Sequence, residues 1–161
     1  PEATAEAIVD GWFHTGDRGS IDEHGCYNIV GRVKEQFKTS KGKYVAPVPI
    51  ESMLARNSVI EQVCVLGSGR KQPLAIAVLN EQNQEFSDDV HQGLIRTLKE
   101  VNSELESHQR LDHLVVCTDF WTIENELLTP TLKIKRNKLE ERYSSYLHKV
   151  LDGDVVWEAG T

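Results

Sequence analysis

Nothing in this sequence approaches the roughly 18 consecutive apolar residues of a membrane-spanning helix, and neither CxxC nor HExxH occurs. Its three cysteines, Cys26, Cys64 and Cys117, lie far apart. An odd, sparse set of this kind reads as reduced thiols of a cytoplasmic protein, which excludes a disulfide framework. Cys64 and Cys117 sit in apolar runs, as core residues do. The six histidines show no metal-ligand spacing. "GSGRKQ" (67–72) invites comparison with a phosphate-binding loop, but it lacks the GxxxxGK core of that motif and reads as a turn. There is no signal peptide, internal repeat or low-complexity tract, and the chain opens on "PEATAEAIVDGW" without an initiator methionine. An excised fragment of a longer protein is therefore expected.

Positive charge is scarce overall and local where it occurs. Lysine and arginine number 18 against 25 acidic residues, giving a net charge of −7 and a pI near 5.4. Nucleic-acid binding in general, which draws its affinity from phosphate neutralisation, is disfavoured. The basic residues cluster in "GRVKEQFKTSKGK" (31–43) and "LKIKRNKLEER" (132–142), a pattern that suits a specific small anion better than a polymer.

The apolar and charged fractions, 39% and 27%, are those of a globular chain, and 161 residues suffice for one domain with a piece of another. "GWFHTGDRGSIDEHGCYNIVGR" reads as two short strands around a turn at Asp22–Gly25. "EQFKTSKGKYVAP" reads as a second hairpin, with Lys41-Gly42 at its tip. Pro47 and Pro49 open a helix whose Ile50, Met53 and Leu54 share one face. Strands are expected near 62–67, 73–79 and 114–118. A long helix from about Ser87 to His108 carries the stripe Val90, Leu94, Leu98, Val101 and Leu105. A last helix is expected from Lys135 to Leu151, facing inward through Leu139, Tyr143, Tyr146, Leu147 and Val150. The expected class is α+β: a two-stranded hairpin plus a mainly antiparallel three-stranded sheet flanked by helices. Residues 1–33, with few apolar side chains, read as the edge of another unit, and the boundary falls near Gly31 to Lys34.

Four places could carry chemistry. Asp17, on the turn of "HTGD", is placed either to accept hydrogen bonds from the vicinal hydroxyls of a ribose or simply to close a Gly-Asp turn. Arg32 could bond a ribose or a phosphate, or pair with Glu35. Gly42, between Lys41 and Lys43, permits positive φ and close approach of another chain or ligand; the alternative is a plain polar tip. In "LTPTLKIKRN" (128–137), an inward Ile134 would put Lys133 and Lys135 on the opposite face. There a lysine could stabilise charge developing in a transition state, or form a solvated turn.

The order "GWFHTGD", "GRVKEQFKTSKGKYVAPVPIE", "LTPTLKIKRN" closely resembles the carboxy-terminal part of the adenylate-forming enzymes, from about Gly11 to Tyr143. "FKTSKGKYVAP" and "LTPTLKIKR" are most similar to those of the long-chain fatty acyl-CoA synthetases, although Gly31 stands where many of those have aspartate. The resemblance implies residues 1–33 as the trailing edge of a large N-terminal domain and 34–161 as a mobile C-terminal domain. It implies that Asp17 binds the ribose of ATP, supported by Arg32, and that Lys34 is the hinge. Lys133 would be the catalytic lysine of adenylation, with Lys135, Arg136 and Lys138 mostly solvated. Lys38 and Gly42 would serve the thioester step, Gly42 lining the coenzyme A passage.

The implied reaction forms acyl-AMP from a long-chain fatty acid and ATP with Mg2+, then a coenzyme A thioester, a carbon–sulfur ligase activity. The phosphate loop, magnesium ligands and acyl tunnel would lie upstream, so the fragment is expected to be inert alone. Its partner would be its own N-terminal domain. The implied location is cytoplasmic, and long-chain substrates are compatible with peripheral membrane association. Two alternatives stand beside this. One is a fatty acyl-AMP ligase or carboxylic acid reductase that passes the acyl group to a carrier protein. The other is a non-catalytic binding module, against which Lys133 argues.

Overall fold

The structure is a computed structural model that describes residues 2–158. Short elements come first: α1 (Glu2–Ala7), β1 (Ile8–Val9), β2 (Trp12–Phe13), β3 (Asp17–Ile21) and β4 (Tyr27–Arg32). β1 pairs with β2 and β3 with β4, both antiparallel. Between β3 and β4 the carboxylate of Asp22 accepts the N–H groups of His24 and Cys26 at 3.0 and 2.9 Å, a self-bonded turn of the kind that aspartate favours. This part is less polar than its sequence suggested. Trp12, Phe13, Tyr27 and Ile29 are 68 to 83% exposed, so its apolar side chains face outward.

A 3₁₀ turn, Val33–Glu35, leads into the hairpin of β5 (Phe37–Lys38) and β6 (Tyr44–Val45). Helix α2 (Pro47–Leu54) follows. Proline at its first position has no N–H to leave unpaired, and Ile50 and Leu54 seal its inner face at 1% and 0% exposure.

The centre is a sheet of β7 (Ile60–Leu66), β8 (Leu74–Leu79), β9 (Leu114–Cys117) and β10 (Val155–Trp157), in the order β10-β9-β8-β7. Every residue of β8 is inaccessible to solvent. Its period-two alternation sends Ala75, Ala77 and Leu79 to one core and Leu74, Ile76 and Val78 to the other. The first core is closed by α2 and by α3 (Asp88–Glu104), whose Leu94, Leu98 and Val101 are buried. The second is closed by Trp121, Leu127, Leu128, α4 (Arg136–Arg142) and the residues after it.

The α+β class holds, with differences in detail. The sheet has four strands instead of three, and only β7–β8 is antiparallel; β8–β9 and β9–β10 are parallel. Helices cross from one strand to the next in both connections, which is what parallel pairing requires. β10 is three residues long in a polar tail and has no periodicity to detect. α3 ends at Glu104, because Leu105 is already extended. The expected tail helix breaks at Tyr143 into α4 and α5 (Ser144–His148). Tyr143 is 2% exposed, its hydroxyl accepting the indole N–H of Trp121 at 3.4 Å, whereas Val150 is fully exposed.

Gly67, after β7, explains one part of "GSGRKQ". A Cβ there would lie 2.8 Å from Pro73 Cα and 3.3 Å from the Phe37 ring, so the chain passes only without a side chain. The segment is a turn, as expected.

Candidate active site

Strand register decides the first pair. Asp17 and Arg32 are direct partners across β3 and β4, and Arg32 Nε lies 3.3 Å from Asp17 Oδ1. The sequence reading allowed Arg32 a pairing with Glu35; in the structure its carboxylate partner is Asp17. The Asp17 N–H donates to Thr15 Oγ1 at 3.1 Å, and Gly16 turns at φ +77°. Arg32, Thr15, Gly16, Lys34 and Glu35 line a cavity of about 370 Å³. A part-buried carboxylate, oriented by a guanidinium beside a cleft, can accept from two neighbouring hydroxyls. Lys34 is exposed in the 3₁₀ turn that joins β4 to β5.

The second group is the β5–β6 hairpin. Gly42 sits at its tip with φ +78°, and its N–H donates to Thr39 C=O at 2.9 Å. Thr39 is 4% exposed and holds the tip closed. Its N–H donates to Lys43 C=O at 2.8 Å, and its hydroxyl accepts the Lys43 N–H at 3.2 Å. Lys38 Nζ lies 5.5 Å from the centre of the Tyr44 ring, a cation–π contact.

The third is Lys133. Leu128 and Ile134 bridge in antiparallel fashion, and Thr129 closes the turn between them. Thr129 N–H donates to Lys133 C=O at 2.8 Å, and Thr129 Oγ1 accepts the Lys133 N–H at 3.0 Å. Leu132 takes φ +59° and is 69% exposed, a conformation that costs a leucine about 1–2 kcal/mol. Ile134 packs on the second core, as expected. Lys133 is exposed and, among the described residues, has no acidic side chain within ion-pair distance.

Arg136 departs most from the sequence reading. Its side chain is 19% exposed instead of solvated. It grips Glu51 of α2 with both terminal nitrogens, at 2.6 and 3.3 Å, and donates to Val65 C=O at 2.7 Å. Glu51 also accepts the Val65 N–H at 2.7 Å. The base of the Lys133 turn is thus tied to α2 and β7. Glu51 went unnoticed because 85 residues separate it from Arg136. The one available signal was an acidic residue inside a mostly apolar helix turn, "PIESML".

Among the described residues no group of three His, Cys, Asp or Glu could hold a metal ion. No helix is long and apolar enough to cross a membrane.

A family model described as the AMP-binding enzyme C-terminal domain matches residues 34–154. Fatty acyl-CoA synthetase B of Dictyostelium discoideum is 30% identical over 92% of this chain and 25% of its own length. Human long-chain-fatty-acid–CoA ligase 6 is 30% identical over 93% of this chain and 24% of its own. The chain therefore spans about a quarter of the length of these curated relatives. Among solved structures, the A domain of carboxylic acid reductase from Segniliparus rugosus, in complex with AMP and a co-purified carboxylic acid, superposes with a TM-score of 0.75. It is 29% identical over 91% of this chain and 24% of that one.

Proposed function

This chain belongs to the AMP-binding enzyme C-terminal domain family of adenylate-forming enzymes, and from that membership we propose that it is the carboxy-terminal part of a long-chain fatty acyl-CoA synthetase. In this reading residues 34–161 are the mobile domain, 1–33 the last edge of the large domain, and Lys34 the hinge between them. The observation that carries the proposal is Lys133: an exposed ammonium without an acidic partner among the described residues, on a turn whose base is anchored by Arg136. A cation on a rigid base, with its own charge uncompensated, is suited to meet negative charge elsewhere.

The first half-reaction is attack of a carboxylate oxygen on the α-phosphorus of ATP, with pyrophosphate leaving. Lys133 acts there as a positioned positive charge on the oxygens where charge accumulates, with no covalent role. Asp17 accepts from the ribose hydroxyls, and Arg32 holds its carboxylate in place. In the second half-reaction a thiolate sulfur attacks the acyl carbon and AMP departs. Gly42, with no side chain, leaves room for the pantetheine arm beside Lys38. Rotation about Lys34 would present Lys133 and Gly42 in turn, a gating step of the hinge type.

A second reading keeps the first half-reaction and changes the acceptor to a carrier-protein thiol. The likeness to the carboxylic acid reductase A domain favours it. Offering coenzyme A and holo-carrier protein to the full-length enzyme separates the two. For either acceptor, Lys133→Ala in the full-length protein should slow adenylation by about 10²–10³-fold. Thioester formation from preformed acyl-AMP should stay within a few fold. Equal loss in both steps, or loss in neither, refutes the role of Lys133. The 161-residue chain alone should make no acyl-CoA.

A further inference from the structure

The β5–β6 hairpin is small to hold a working geometry by itself, with two residues in each strand. Its outer edge is held by another segment, the turn after β7. Gly69 N–H donates to Lys38 C=O at 2.9 Å, and Ser40 N–H donates to Arg70 C=O at 2.8 Å. These two bonds clasp the segment that carries Lys38 and leads to Gly42. At the end of the turn the Gln72 amide donates to Ser107 and Arg110 C=O at 2.8 and 2.9 Å, whereas Ser68, Gly69 and Lys71 are exposed. Arg70 is the exception, with a side chain only 17% exposed.

Its guanidinium spreads over three segments. Nε donates to Gln72 C=O at 3.3 Å, within its own turn. One terminal nitrogen donates to Leu147 C=O and, at 3.5 Å, to Tyr146 C=O, two carbonyls at the end of α5, where a cation is favoured. The other lies 3.8 Å from an Asp112 carboxylate oxygen, just before β9. A planar fork reaches acceptors on several segments at fixed angles; an ammonium, with three donors on one atom, cannot span them in the same way.

We propose that Arg70 is a positioning residue for the thioester half-reaction, acting through the backbone of the Lys38–Gly42 hairpin. The proposal rests on the reading of that hairpin given above. Lys133 is anchored separately, through Arg136, Glu51 and Val65, and the two arginines share no partner. Loss of Arg70 should therefore disturb one step and spare the other.

The test uses Arg70→Ala and Arg70→Lys in the full-length protein, with each half-reaction followed separately and with the thiol acceptor that the parent enzyme uses. Arg70→Ala should lower kcat/KM for the acceptor about tenfold or more, the scale of a misplaced reacting group. Adenylation and the KM for ATP should stay within about twofold. Arg70→Lys, which keeps the charge and loses the fork, should fall between the two. Equal losses in both half-reactions mark a merely structural role and overturn the proposal, as does an unchanged thioester step. If Arg70→Ala does not fold, Arg70→Lys and Asp112→Asn carry the same comparison. Gly42→Leu serves as the control on the underlying reading. If it blocks thioester formation while Arg70→Ala spares it, only the role of Arg70 fails. If both spare that step, the hairpin assignment fails as well.

Discussion

Removing the carboxylate of Glu51 should unfold the chain more readily than any exposed substitution, and the structure states why. Glu51 and Arg136 are 15% and 19% exposed, so their pairing is shielded from water. Glu51→Leu leaves the guanidinium without its counter-charge and Val65 N–H without its acceptor. Breaking one side of a buried pair costs about 3–5 kcal/mol, and the orphaned N–H, worth about 1–3 kcal/mol, overlaps with that figure. For a chain of this size each kcal/mol moves the midpoint by about 2–4 °C, so a fall of about 10 °C is expected. Arg136→Met should cost a similar amount, since it strands Glu51 instead. The double variant should recover at least half of the summed loss. Arg136 Nε is buried without a partner, so the network is not fully satisfied, and apolar side chains of similar volume can replace such a pair with little penalty. Urea and thermal unfolding of the parent, both single variants and the double give the coupling energy directly. Single losses below about 1 kcal/mol, or a double variant equal to the sum of the singles, would refute the buried-pair argument.

Three further outcomes follow from the same structure. Leu132→Gly relieves a leucine held at φ +59° and should raise the thermal midpoint by about 2 °C; a lowered midpoint would show that the turn is unstrained. Burial pushes the thiol of Cys117 up to about 12, and raises Cys64 and Tyr143 as well, with Arg136 partly opposing the effect at Cys64. The folded state then favours the protonated forms. Their contribution is complete below pH 9, the ordinary thiol value, and declines as pH rises toward about 12, by about 1.4 kcal/mol per pH unit for each ionising thiol. Urea midpoints should hold from pH 8 to about 9 and then fall steadily toward pH 11, and a profile flat across the whole range would contradict it. Over the lower part of that range native protein should be alkylated at Cys26 alone, since Cys64 and Cys117 are 0% and 2% exposed.

Much of the architecture was legible because it rests on local signals. The short apolar run of "PLAIAVLN", the four-residue spacing from Val90 to Leu98, Asp22 before a tight turn and glycine at positive φ each report a backbone preference within a few residues. So does the hairpin that presents Gly42. The candidate site residues Asp17, Arg32, Lys38 and Lys133 were found from motif order, which needs no contact map. Long-range partnership had no comparable trace. Nothing near residue 136 says that its guanidinium lies against Glu51 and Val65, and nothing near Arg70 names Leu147 or Asp112. In the tail, Tyr143 sits at helical spacing, yet packing of its ring against Trp121 goes with a break between α4 and α5.

From its residues alone this chain determined most of the segments that become strands, helices and turns, β10 and the break at Tyr143 excepted, and which side chains stand at the turns where chemistry is proposed. Only the tertiary structure decided that the sheet is mostly parallel and that an arginine is tied in beside each of the two loops where chemistry is proposed. The physical reason is range. Turn chemistry and periodicity act over a few bonds, whereas strand order and buried charge pairing depend on which surfaces remain to be covered once the sheet has formed.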